Sequence, residues 1–256
     1  MLNYFKSECY RIFHSPALYL AALGFSALPL VLNLVLFAFE ASMPGYRYAT
    51  TSFSYSNLVA SPMLFCFAAL ILVYVLYEGN RKNGNLKNAV ACGVSREQIF
   101  AAQLLASFLA SLFVLAIAAS VYLLSAELLL RKEGPVEAAD LLREIPAVAP
   151  AAAASLIFSV SAALLSDKAS LGILCWTAVF FLIPQALFYI GLEVEPVRSV
   201  AMWMPQNIFS GMEVNQQVCA PVWDTAPGLA RCLIAGFAGI LLFGAGGVLL
   251  FQKKEL

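Results

Sequence analysis

The chain has 256 residues, 62% of them hydrophobic and 12% charged, with a formal net charge of zero and a mean hydropathy of +0.84. A soluble domain is about half apolar and about a quarter charged, so this composition excludes a single water-facing core. Zero net charge leaves no global field for gathering nucleic acid or another polyanion.

In residues 1–17, Leu2, Phe5, Cys9, Ile12 and Phe13 recur at helical spacing, with Asn3, Lys6, Ser7 and Arg11 on the other side. This predicts a short amphipathic helix at the inner membrane interface, ended by Pro16. A plain cationic flank is the alternative. His14, the single histidine, reads as a solvated flank residue.

A spanning helix needs about twenty mostly apolar residues. Six segments qualify: Leu18 to Phe39, Pro62 to Tyr77, Ile99 to Leu124, Ile145 to Leu165, Leu171 to Gly191, and Leu229 to Phe251. The second is short unless it begins near Asn57. The fourth and fifth are divided by a turn at Ser166-Asp167-Lys168, because burying both charges would cost roughly 2.5–3.5 kcal/mol each. The first is too long for a cleaved signal and reads as a retained anchor. Pro29 and Pro184 fall inside spans and can kink them.

Orientation follows from basic residues. With the N-terminus inside, Lys6, Arg11, Arg81, Lys82, Lys87, Arg96, Lys168, Lys253 and Lys254 lie inside, against Arg47, Arg131, Lys132, Arg143, Arg198 and Arg231 outside. The inside segments are shorter in total, so their basic density is higher. That predicts both termini on the cytoplasmic side. The short loops and the lack of organelle signals suggest a bacterial plasma membrane.

Several chemistries have no residues to carry them. There is no G-x-x-x-x-G-K-[ST] loop for nucleotide, no H-E-x-x-H for metal, and no G-x-S-x-G elbow. The spans carry charges only at their ends, which argues against a proton-driven pump. Asn33, Gln103 and Gln185 are the polar residues expected at membrane depth, each as an interhelical hydrogen bond. Six cysteines form no C-x-x-C pair. Cys66 and Cys175 read as packing residues, and a Cys219–Cys232 disulfide stays open.

Residues 192–228 carry four prolines with Trp203 and Trp223. This predicts short re-entrant helices in the outer leaflet with tryptophans at headgroup level, an ordinary outer loop being the alternative. In the last span Ala235 and Gly239 form a small-x-x-x-small pair. Ala106 with Ala110 and Ser107 with Ser111 do so in the third, and such pairs permit close helix approach.

Between the second and third spans lies a basic polar island, residues 78–98. Glu78, Gly84, Leu86, Lys87, Gly93, Val94, Ser95 and Arg96 there follow a recurring order: an acid, a Gly with an apolar residue and Lys, then a Gly-Val-Ser-Arg turn. Ser95 can cap a helix beginning at Arg96, and Gly84 and Gly93 can supply turns. With the six spans and the interfacial helix, this order resembles the permease subunits of ABC exporters of the ABC-2 superfamily, the type V fold. Gln103 departs from it, standing where a Lys is frequent.

The resemblance covers nearly the whole chain. It implies an all-α integral membrane protein with six transmembrane helices, an N-terminal interfacial helix and short re-entrant outer helices before the last span. It implies that residues 78–98 form a coupling segment docking on a separate ABC ATPase, which would hold ATP and Mg; this chain would hold no cofactor and no metal. It implies a second permease subunit, the same or a sister chain, with the substrate path between the two. Bacterial antimicrobial-peptide and lantibiotic immunity exporters are similar in build, which points to an amphipathic substrate. The other partner is membrane lipid, and nucleic acid is not one. The alternative reading is an ATP-independent carrier or channel, for which Pro184-Gln185 is a mild midplane candidate. An intramembrane enzyme would need a polar cluster facing a cavity, which the spans do not advertise.

Overall fold

The computed structural model describes the chain apart from residues 1, 83–84, 167, 216 and 255–256, and only the backbone of 78–82 and 85. The helices are α1 (Leu2–Phe13), α2 (Pro16–Ser42), α3 (Thr51–Val59), α4 (Met63–Lys82), α5 (Asn85–Ala91), α6 (Arg96–Leu129) and α7 (Ala138–Leu165). There follow α8 (Ala169–Thr177), a π-helical turn (Ala178–Leu182), α9 (Ile183–Ile190), α10 (Glu195–Ala201) and α11 (Pro205–Phe209). A two-residue hairpin, β1 (Glu213–Val214) with β2 (Cys219–Ala220), and a 3-10 turn (Val222–Asp224) lead into α12 (Ala226–Lys253).

Local chemistry sets the starts. Ser15, Thr50, Ser95 and Thr225 each accept a backbone N–H from the first turn of the helix they precede. Such caps satisfy donors that a helix cannot satisfy itself. Pro16 stands at the first position of α2, where its missing N–H costs nothing.

Five helical runs are long and apolar enough to cross a membrane: α2, α6, α7, α8 to α9, and α12. α3 and the apolar part of α4 pass the same test together but are bent by 71°. Pro62 lies at that break and keeps Ser61 out of the helical region. The chain has the architecture of an all-α multi-pass membrane protein.

α7 is the axis. Two-thirds of its most apolar stretch is buried, against about a fifth or less in each of the other four runs. It packs against α12, α4, α8, α6 and α3, and α2 and α1 lie on α6. α7 and α12 run parallel: a Cβ on Gly236 would meet Pro150, one on Gly239 would meet Ala154, and one on Gly247 would meet Ser161. The outer surface is apolar, with Leu20, Leu23 and Leu28 of α2 and Leu241 and Leu242 of α12 all more than 60% exposed. That pattern suits lipid as solvent.

Several expectations need correction. Glu78 lies within α4, which continues through Lys82 beyond its apolar run, so it is not in a loop. Gly84 and Asp167 lie outside the described residues. Leu2 is exposed and Glu8 is buried, so α1 turns a different face inward from the one its apolar residues predict. Gln185 and Cys175 are exposed on the outside of the bundle. Trp223 is buried against Phe209, since the 3-10 turn folds back onto the bundle. Cys219 and Cys232 are free thiols.

Candidate functional site

The segment from α5 into α6 is built by its own sequence. Gly93 has φ of 84°, a region L side chains rarely adopt. That lets Gly93 N–H reach Val90 O at 2.9 Å and Val94 N–H reach Ala89 O at 3.2 Å. The pair of bonds is a Schellman closure of α5. Ser95 then accepts from Gln98 N–H at 3.3 Å and opens α6. Leu86, Ala89, Val90 and Val94 pack half-buried against the core, while Lys87, Asn88, Ala91 and Cys92 are exposed. α5 is therefore pinned by one face and presents the other to its surroundings.

Arg96 points back into the bundle. Its Nη1 donates to Gln252 O at 2.7 Å, to Phe251 O at 3.4 Å and to Lys254 O. These carbonyls belong to the end of α12, where backbone acceptors lack helical partners and a cation is favoured. Gln252 Nε2 donates to Glu97 Oε1 at 2.6 Å. Lys254 Nζ donates to Leu164 O and Leu165 O, 3.2 and 3.1 Å away, at the end of α7. The start of α6 and the ends of α7 and α12 thus form one hydrogen-bonded clasp beside α5.

α1 docks at the same end. Glu8, 6% exposed, forms an ion pair with Arg11 at 2.7 Å. Arg11 also donates to Leu76 O at 3.3 Å and lies 5.4 Å from the Tyr77 ring centroid. Tyr77 donates to Gln103 O at 2.8 Å, and Ser107 donates to the Tyr77 hydroxyl at 3.0 Å. Burial, and then the Glu8 carboxylate, push the Tyr4 phenol well up, and the same two causes raise the Cys9 thiol. His14 is exposed and stacks on Tyr10.

At the opposite end a second polar cluster joins α2, α3 and α6. Asn33, fully buried, donates from Nδ2 to Ser125 Oγ at 2.8 Å and accepts at Oδ1 from Ser54 Oγ at 2.8 Å. Tyr122 donates to Ser54 O at 2.6 Å. Asn207 of α11 donates to Pro184 O and Ala201 O, both at 2.9 Å, and holds α9, α10 and α11 together.

Of the residues the sequence singled out, Leu86, Lys87, Gly93, Val94, Ser95 and Arg96 come together at the α5 end. Asn33 and Gln103 are buried, Asn33 as an interhelical bond. Glu8, Ser54, Tyr122 and Ser125 were missed. Glu8 carried a signal in its i, i+3 spacing to Arg11. The hydroxyls carried none, because serine and tyrosine are ordinary in spans. Among the described residues no three His, Cys, Asp or Glu gather as metal ligands. Compared with family models and with curated proteins, the chain matches none.

Proposed function

We propose that this chain is the six-span permease subunit of an ATP-driven exporter, with a separate ABC ATPase docking on α5 and the turn into α6. The observation that carries this reading is the clasp: the residue that follows the exposed turn is bonded directly to the end of α12, and α12 to α7. A flank that only fixed orientation would need charge alone. A closed short helix tied into two spans can pass on a displacement of its exposed face. The bent α3–α4 pair counts as the second span, and both chain ends lie in the cytosol of a bacterial cell.

The packed axis supports a path between two permease subunits. α7 fills the middle of the bundle with buried side chains, so a route for an amphipathic substrate runs along an outer face, shared with a second copy or a sister chain. The carrier reading would draw on the Asn33 cluster. Its groups are bonded to one another, which favours a structural role.

Co-purification from native membranes tests the reading. An ATPase subunit should accompany the wild-type chain, and Lys87→Glu should lower its recovery about tenfold or more; a desolvated interfacial charge is worth about 2–5 kcal/mol when its partner is lost. A chain that purifies alone and transports in liposomes without ATP would overturn it. Cys92, exposed beside α5, reports the topology: an impermeant maleimide should miss it in intact cells and label it in inverted vesicles.

A further inference from the structure

Glu144 lies on the central helix and is 1% exposed, and its Oε1 has no hydrogen-bond partner. Among the described residues no Lys, Arg or His forms an ion pair with it. Its neighbours on the same side of α7, Leu141, Ala147 and Val148, are buried and apolar.

The titratable groups around it are engaged elsewhere or do not compensate it. From α3, Tyr55 donates to Glu127 at 2.9 Å, and Glu127 pairs with Lys132 at 2.7 Å. From α6, the Tyr122 hydroxyl is within electrostatic reach of Glu144 but donates to Ser54 O. On α7 itself, Asp140 accepts from Glu137 N–H and lies 3.6 Å from Arg143. Arg231 of α12 lies over Trp203, and Asp224 of the 3-10 turn brings only another negative charge. α4 meets α7 at Cys66 and Ser155, so its Tyr74 and Tyr77 fall toward the other end.

A carboxylate in this setting has lost its water and gained no cation. A carboxylic acid carries no such penalty. The oxygens that might otherwise cage a metal cation, those of Asn33, Ser54 and Tyr122, already serve one another. We propose that Glu144 is a proton-binding site: the packed bundle holds it as the neutral acid, and it gives its proton to water only when α7 parts from α3 at the hairpin end. Proton release and opening are then one event. This inference stands whether or not an ATPase drives the chain.

The test uses the full-length chain in lipid, labelled with ¹³C-glutamate. A protonated side-chain carboxyl signal should appear at neutral pH, exchange slowly with deuterated solvent, and vanish in Glu144→Gln. It should also fade as the pH is raised. Melting temperature should fall from neutral to alkaline pH in the wild type, since the unfolded chain releases a proton that the folded chain keeps, and should fall less in Glu144→Gln. A wild type with no protonated side-chain carboxyl at neutral pH overturns the proposal without recourse to any variant. So does a signal that survives Glu144→Gln, or equal pH slopes. Loss of the signal at neutral pH on adding sodium or potassium would make the site a metal-cation site and overturn it too.

Discussion

Gly236 and Pro150 meet where α12 lies along α7, so closely that a Cβ added at Gly236 would stand 2.4 Å from Pro150 Cβ. Proline in a helix lacks a backbone donor and bulges on one side. A residue without a side chain opposite it lets the two helices close. The approach continues at Gly239, where a Cβ would be 2.9 Å from Ala154 Cβ.

Gly236→Leu should therefore wedge α12 from its axis and cost about 1–3 kcal/mol or more, the range for overpacking. Gly244 on the same helix has nothing within 4 Å. Gly244→Leu should be nearly neutral. Thermal unfolding of both variants in one detergent checks the contrast, and equal losses would contradict the packing.

Asn33→Ala should leave Ser54 and Ser125 short of a partner inside the protein. Buried hydrogen bonds between membrane helices average about 0.6 kcal/mol, and a stranded polar group can raise the cost to about 1–3 kcal/mol. A loss near the upper figure is expected, because the site is fully buried. A double-mutant cycle with Ser54→Ala should show the two losses to be less than additive.

Arg96→Ala should release the end of α12. Amide hydrogen exchange at Gln252, Lys253 and Lys254 should quicken several-fold while the middle of α12 stays protected. Lys87→Ala should leave that exchange unchanged and weaken ATPase recovery. The two variants separate the clasp from the docking face.

Cys9 alkylation should continue to rise with pH beyond the range of an ordinary thiol, because burial and the Glu8 carboxylate hold its pKa above the usual 9.0. Glu8→Gln removes the negative charge, favours the thiolate and should speed the reaction at a fixed alkaline pH. Rate measurements with the other five cysteines replaced would decide it.

The spans were legible because lipid burial follows composition. Leu18–Phe39 grew only to Pro16–Ser42, and Leu171–Gly191 became Ala169–Ile190. Ser95 as a cap and Gly93 as a turn were legible for the same local reason: each acts on backbone within a few residues. The partner of Arg96 was not, since it lies 156 residues away and depends on which helix ends meet. Burial of Glu8 and Glu144 was hidden in the same way. A carboxylate near the end of an apolar run reads as an interface residue, and only packing shows which neighbours cover it.

The π-helical turn at Ala178–Leu182 has a consequence for how this chain tolerates length changes. A π turn holds one residue more than the α-helix around it. Each α-helical residue advances the azimuth by about 100°. Deleting one residue there would restore a regular helix and swing everything beyond it by about that angle. Pro184 would leave its contact with Asn207, while Trp176, before the deletion, would keep its bond to Ser155. A deletion of one residue in the exposed turn Leu192–Val194 should be absorbed with far less damage. The extra residue acts as a phase setter between the two halves of one span, and its removal would be read out as a change of facing rather than of length.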